Sequence, residues 1–339
     1  MQPLTAGTMQ LFHEDTMKRI ALLTSGGDAP GMNAAIRGVV RSADARGLEV
    51  LGVKDGYRGL HRGWYEQITP REVSGILHLG GTILGTARSG TFRTEEGRQN
   101  AVTHMEEHGI DGLIVIGGDG SLRGADLLAQ EGGIAVVGLP GTIDNDLAGT
   151  DFTIGFDTAV NTAVEAIDRI RDTASSHQRL FFIEVMGRQA GWIALYAGLA
   201  GGATAAIVPE GHRDVEALHD RVRASFEMGK RFCLVVVAEG NGGARAIASQ
   251  VFPDEGDVDL DHRVTSLGHM QRGGSPTMRD RVLGARLGDA AVDALLQGQN
   301  RIMVGEQRLE LTQVPLQRTW TADSSVPEHL LDLLDRLAR

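Results

Sequence analysis

The chain has 339 residues, 42% of them hydrophobic but only 4% aromatic, a balance that suits helix–sheet cores in which small residues allow close packing. That length fits two α/β lobes better than one small domain, and the net charge of −11 without a basic stripe argues against nucleic acid as the main partner. A single cysteine, Cys233, excludes an intrachain disulfide and is expected to be a core residue of a protein from a reducing compartment.

Residues 1–16 read as an N-terminal extension without the apolar core of a signal peptide, and no stretch is apolar for long enough to span a bilayer, so the cytoplasm is expected. Ile20 to Thr24 predicts a buried strand that runs into Ser25-Gly26-Gly27-Asp28-Ala29-Pro30-Gly31. Asp28 is the expected N-cap of the following helix, in which Met32, Ile36, Val39, Val40 and Ala43 recur at helical spacing until Gly47. Leu48 to Val53 is a second strand, and Thr94-Glu95-Glu96 opens a helix that ends at Gly109. Leu113 to Ile116 is the next strand, followed by a helix from Leu122 to Gln130 and a strand from Ile134 to Leu139. A second set then alternates: helix Asp157 to Ala174, strand Leu180 to Val185, helix Gly191 to Leu199 and strand Ala205 to Val208. Helix Val215 to Glu227 and strand Phe232 to Ala238 continue it. A helix from Asp280 to Leu296, short strands between Arg301 and Leu311 and a terminal helix from Pro327 complete the chain. The fold class is therefore α/β, two doubly wound Rossmann-like lobes with mostly parallel sheets. One lobe is expected from 17–155 plus 271–321 and the other from 156–270, with 322–339 as a C-terminal helix. Ligands in such folds bind beyond the carboxyl ends of the strands, where the Gly/Asp-rich loops of this chain fall.

Gly117-Gly118-Asp119-Gly120-Ser121 is the most informative of those loops. Glycines let the backbone approach a bound group, and the helix that follows favours an anion. Asp119 would repel phosphate unless a divalent cation stands between them, so a nucleotide polyphosphate with metal is the expected guest. The loop from Thr24 to Gly31 repeats the anion logic without matching a Walker A loop or the dinucleotide fingerprint. Pro140-Gly141-Thr142-Ile143-Asp144-Asn145-Asp146 places two carboxylates two residues apart at a strand end. In an extended loop they would face the same way, one as general base and the other near metal-bound water; an Asx-type turn is the structural alternative. Lysine occurs only at Lys18, Lys54 and Lys230. Arginines beside the glycine-rich segments, Arg88, Arg179, Arg188, Arg263 and Arg272, suit the neutralisation of a moving phosphoryl group.

Thr24 to Arg41, Gly117 to Ser121, Pro140 to Asp146, Ser176 to Arg179, Met186 to Arg188 and Gly268 to Ser275 together closely resemble the bacterial ATP-dependent branch of the phosphofructokinase family. The resemblance runs from Lys18 to about Gly305 with motif order preserved. It implies that the first lobe binds ATP and the second fructose 6-phosphate, with fructose 1,6-bisphosphate as product of a committed step in glycolysis. On that likeness Asp144 is the catalytic base, Thr142 and Arg88 stabilise the migrating phosphoryl, and Asp119 and Asp146 stand at Mg2+. Gly27, Tyr57, Arg88, Ser89, Gly118, Gly120 and Ser121 fall at the ATP site, with Tyr57 expected against adenine. Ile143, Met186, Gly187, Arg188, Glu239, His269, Met270, Gln271 and Arg272 fall on the sugar-phosphate side. Arg179 and Arg263 match positions delivered by a neighbouring subunit, which implies a homotetramer.

Pyrophosphate-dependent relatives are the near alternative; they carry Asp where Gly120 stands and Lys where Gly141 stands, so ATP is the expected donor. A non-catalytic nucleotide-binding subunit would be expected to lose Asp144 or an arginine, and none is lost. Arg37, Arg41, Arg171, Lys230 and Arg231 match the family's allosteric effector pocket. Pro70, Thr204 and Met228 depart from it, and the missing acid at 204 leads to an expectation of weak or absent ADP activation.

Overall fold

The computed structural model describes residues 17–175, 179–211, 215–252 and 262–338. The chain runs β1 (Arg19–Ser25), α1 (Met32–Ala45), β2 (Glu49–Val53), α2 (Tyr57–Leu60), β3 (Tyr65–Gln67), α3 (Glu95–Glu107), β4 (Gly112–Gly117) and α4 (Asp119–Gly132). It continues through β5 (Ala135–Thr142), β6 (Ile154–Gly155), α5 (Phe156–Ser175), β7 (Arg179–Val185), α6 (Trp192–Ala200), β8 (Ala205–Ile207), α7 (Val215–Glu227) and β9 (Phe232–Ala238). The remaining elements are α8 (Ala244–Val251), β10 (His262–Ser266), α9 (Met278–Leu296), β11 (Ile302–Gln307), β12 (Glu310–Pro315), α10 (Arg318–Thr321) and α11 (Glu328–Leu337).

Two sheets carry these strands. The first has the order β12-β11-β5-β4-β1-β2-β3, with β6 paired to the end of β5; the second has the order β10-β7-β9-β8. Every pairing is parallel except β11–β12 and β2–β3, which put antiparallel strands at both edges of the larger sheet. The architecture is thus the parallel-dominated α/β fold implied by the alternating pattern. β1 lies between β4 and β2, so successive crossovers leave it in opposite directions and open a crevice at its carboxyl end. Register aligns the ends: Ser25 pairs with Gly117, and Gly117 with Pro140. Three loops therefore start side by side. All six residues of β4 and all eight of β5 are buried, which explains their continuous apolar runs and fixes the height at which the loops emerge.

Helix ends follow local chemistry where a cap is adjacent. Thr94 caps α3, its side chain accepting from Gly97 N, as a Thr-Glu-Glu start requires. Asp28 does not cap α1, contrary to the sequence expectation. Gly31 occupies the N-cap at φ 105° with no side-chain cap, because the Pro30-Gly31 turn delays the helix beyond the reach of Asp28. α1 then packs on α9 through glycines: a Cβ at Gly288 would stand 2.7 Å from the Ala35 carbonyl. Cys233 is fully buried in β9, as expected.

A carboxylate joins the two sheets' helices. Asp280, fully buried in the first turn of α9, accepts from Gly155 N and Thr158 N (2.9 Å each) and from Thr158 Oγ1 (2.5 Å), capping α5 from outside its own chain segment. Thr158 Oγ1 accepts in turn from Thr277 N, and Thr277 caps α9 through Asp280 N. Burial pushes the Asp280 pKa up to about 6 although those hydrogen bonds pull it down. Asp280→Ala would strand three buried donors, and a loss of about 3–5 kcal/mol is expected. Chemical denaturation of this variant beside the wild type checks it; a midpoint within error of wild type would refute the role.

Candidate active site

The crevice at the β1/β4 switch is built from glycine. A Cβ at Gly117 would lie 2.7 Å from both Ser121 Oγ and the Ser25 carbonyl, and one at Gly26 would lie 3.2 Å from Ser121 Oγ. The two loops read as anion-facing therefore touch, and only glycine permits their approach. Gly118 is the N-cap of α4, and Asp119 and Gly120 form its first turn. Beyond Gly120 a side chain would meet nothing within 4 Å. That open space lies where a polyphosphate on the helix end would sit.

The acidic loop after β5 turns and does not extend, so the condition under which alternation would face its two carboxylates one way is not met. Asn145 adopts a left-handed φ of 54°, held by its Nδ2 donating to the Asp151 carbonyl and its Oδ1 accepting from Thr153 N. The turn nevertheless buries Asp144 and half-buries Asp146. Asp144 is 2% exposed, and its Oδ1 has no hydrogen-bond partner; the same is true of Asp146 Oδ1. Burial first, then the Asp146 charge, pushes the Asp144 pKa up to about 6, while Arg272 and Arg188 pull it down. Asp146 is raised chiefly by burial and opposed by Arg188, whose Nη1 lies 3.8 Å from Asp146 Oδ2. Asp119 raises it further, which places these three carboxylates in one electrostatic neighbourhood.

Arginines reach this neighbourhood from the second sheet and from the loop that returns to the first. Arg188 follows β7 at φ 54°, its N–H donating to Glu239 Oε1 at 2.9 Å. Gly187, at φ 138°, has the Ala190 carbonyl where a side chain would be. Arg272 donates to the Asp28 carbonyl and lies over Gly27, where a Cβ would be 2.3 Å from its Nη1. Gln271, fully buried, accepts from Met186 N at 2.9 Å and so ties the two sugar-side motifs together. His269 and Met270 are exposed beside it. Arg88 is exposed and has no hydrogen bond or ion pair among the described residues.

Other expected positions fall differently. Tyr57 offers no free face to a base: it is buried, stacks on Phe92 at 4.0 Å and donates to the Ser121 carbonyl at 2.5 Å. It supports the Ser121 turn. Ser89 Oγ accepts from Phe92 N and starts the turn at Thr91. Arg179 begins β7, at the opposite end from Met186, and Arg263 on edge strand β10 is in register with Phe181. Neither is brought to Arg188. Ser176, His177 and Gln178 of the Ser176 to Arg179 motif lie outside the described residues. Arg37 and Arg41 are on α1; Arg171 lies over Phe232, next to Arg231, and Lys230 donates to the Ala338 carbonyl at 2.7 Å.

Two residues escaped the sequence reading. Thr153 Oγ1 donates to the Thr142 carbonyl at 2.6 Å, holding the acidic turn, and Arg123 Nε donates to Asp119 Oδ1 at 2.6 Å. Only the second had a signal, the four-residue spacing on a helix. Among the described residues no group of three or more His, Cys, Asp or Glu could hold a metal ion by itself. One or two carboxylates with orphaned oxygens suit a hard cation that takes its other ligands from phosphate and water.

Paired glycine loops at a switch point, facing carboxylates and arginines, define an α/β phosphoryl-transfer site. A match to the phosphofructokinase family spans residues 19–295, and the chain belongs to that family. It is 55% identical over 324 residues to the ATP-dependent 6-phosphofructokinase 1 of Thermus thermophilus, covering 95% of this chain and 100% of that protein. Against the ATP-dependent 6-phosphofructokinase 2 of Bacteroides thetaiotaomicron it is 51% identical, covering 95% and 99%. The solved phosphofructokinase of Saccharomyces cerevisiae superposes with a TM-score of 0.85 at 37% identity over 95% of this chain, which spans about half (48%) of that longer one. A pyrophosphate-dependent phosphofructokinase from Marinobacter aquaeolei superposes at 0.77 with 25% identity, covering 94% and 91%.

Proposed function

We propose that this chain transfers the γ-phosphoryl group of ATP to the 1-hydroxyl of fructose 6-phosphate, giving fructose 1,6-bisphosphate and ADP. The observation that carries the reading is the buried, unpartnered Asp144 carboxylate between Asp146 and the Arg188 and Arg272 guanidiniums. A carboxylate with a pKa near 6 is ionised at neutral pH yet basic enough to accept a proton from an attacking hydroxyl. Arg188, Arg272 and Arg88 would neutralise the charge shared between donor and acceptor phosphates, and Thr142 Oγ1 accepts from Asp144 N at the end of β5. Mg2+, when bound, would screen the β- and γ-phosphates from Asp119 and Asp146.

Donor choice follows from two glycines. A lysine at Gly141 would force its neighbours to shift, since its Cβ would meet Ile116 Cγ2 at 2.8 Å and Met32 Cε at 3.1 Å. At Gly120 there is room, so a side chain there would act on the ligand alone. ATP at Gly120 is favoured over pyrophosphate, in keeping with the donor in the names of the 50–55% identical relatives. The test is a donor swap: fructose 6-phosphate with Mg–ATP, then with Mg–pyrophosphate, following fructose 1,6-bisphosphate. Turnover with pyrophosphate alone would refute the reading. Gly120→Asp is expected to raise KM for ATP by about tenfold or more with an unchanged thermal midpoint, because an acid in a first helical turn is tolerated.

The site needs a second chain. Arg179 stands roughly 20 Å from the Met186 end of β7 by strand rise, so within one protomer it cannot reach Arg188. Delivery of Arg179 and Arg263 by a neighbour in a homotetramer answers this. Regulation by an anion at Arg37, Arg41, Arg171, Lys230 and Arg231 belongs to the same reading, as does a cytoplasmic location; no helix among the described residues is long and apolar enough to cross a membrane.

A further inference from the structure

We infer that Arg123 is a stand-in counter-ion for Asp119, offsetting part of that carboxylate's charge when no metal is present and yielding it when a metal-bound nucleotide arrives. The inference rests on the assignment of Asp119 to the metal and polyphosphate site. Arg123 lies one turn after Asp119 on α4, and its Nε donates to Asp119 Oδ1 at 2.6 Å. Asp119 also lies close enough to Asp146 to act on its charge, and Asp146 Oδ1 is buried with no hydrogen-bond partner. Left bare, these acids would repel an incoming triphosphate, the difficulty that makes an aspartate in an anion-binding loop unusual. The guanidinium removes part of that charge before any cation binds.

The pair is built to open. Arg123 and Asp119 side chains are 52% and 26% exposed, and a four-residue helix pair in water is weak. A divalent ion held by phosphate oxygens competes with it easily. Trp320 of α10 gives the released side chain a place to rest: the Arg123 guanidinium carbon already lies 5.1 Å from the Trp320 ring centroid. Release therefore needs a change of partner around one turn of α4 and no movement of the backbone. Arg123 acts through Asp119 and is a positioning residue; Asp119 is the group that meets the metal.

The test compares equilibrium binding of ATP to the full-length protein in excess EDTA and in excess Mg2+, by calorimetry. Arg123→Met is expected to widen the ratio of the two affinities about twofold, by weakening the metal-free arm, and Arg123→Lys to restore it. In an Asp119→Asn background Arg123→Met is expected to leave the ratio alone. A ratio unchanged by Arg123→Met, or changed equally with and without the Asp119 carboxylate, overturns the inference, because the arginine then contributes nothing or acts on phosphate directly. If Asp119→Asn by itself leaves the metal dependence of ATP binding intact, the assignment of Asp119 fails first and takes the role of Arg123 with it. Thermal midpoints of all variants confirm folding, which an exposed side chain does not govern.

Discussion

Asp144→Asn is expected to lower kcat by roughly 10²–10⁴-fold while making the folded chain more stable at neutral pH. Both effects come from one desolvated carboxylate. Asp144 is 2% exposed with an unpartnered Oδ1, and its pKa rises from 3.8 to about 6 on folding. Below pH 3.8 the carboxyl is protonated in both states and costs nothing. As pH rises from 3.8 through 6 the unfolded chain releases the proton while the folded chain retains it, so stability falls; above pH 6 the full cost is present. Replacing the carboxylate with an amide removes that cost, a gain on the order of 1–3 kcal/mol at pH 8 and little at pH 4. In wild type, kcat/KM should fall on the acid side with the same pKa of about 6. Thermal unfolding at the two pH values and a pH–rate profile check these together. An Asp144→Asn chain that is inactive but less stable at pH 8 would falsify the claim that the carboxylate is held under strain for chemistry.

Strands buried on both faces and long amphipathic helices were legible in the sequence, and very short or half-exposed elements were not. β4, β5 and β9 are almost wholly buried and announce themselves as apolar runs. β10, His262–Ser266, is an edge strand with a half-exposed alternation of polar residues, and nothing in its composition separates it from a loop. The four-residue α2 is too short to show a period, and α8 was hidden among glycines and small residues. Candidate site residues were legible as types in collinear motifs, because glycine loops and paired acids have few other uses. Their geometry was not. The left-handed turn at Asn145 depends on Thr153 and Asp151, the burial of Tyr57 on Phe92, and the capping of α5 by Asp280 on a residue more than a hundred positions away. Such partners are set by tertiary packing, which no local window records.

Mixing two disabled chains should recover activity. Asp144→Asn lacks the proton acceptor; Arg263→Ser is expected to raise KM for fructose 6-phosphate well above wild type, with kcat less affected. If each site combines Asp144 of one subunit with Arg263 of its neighbour, equal amounts of the two chains, refolded together, place an intact pair in about a quarter of the sites. Within one protomer Arg263 stays apart from Arg188. Arg263 is exposed on an edge strand that pairs only with β7, and its register with Phe181 puts it at the start of that strand. Arg188 and Glu239 stand at the opposite ends of β7 and β9. No side-chain rotation spans that length, so Arg263 takes part in the site only if a second copy supplies it. Activity at limiting fructose 6-phosphate in the mixture, set against each variant refolded alone, is the measurement. A mixture no better than the sum of its parts would mean that each protomer closes its own site, and Arg263 would then have no part in binding the sugar phosphate.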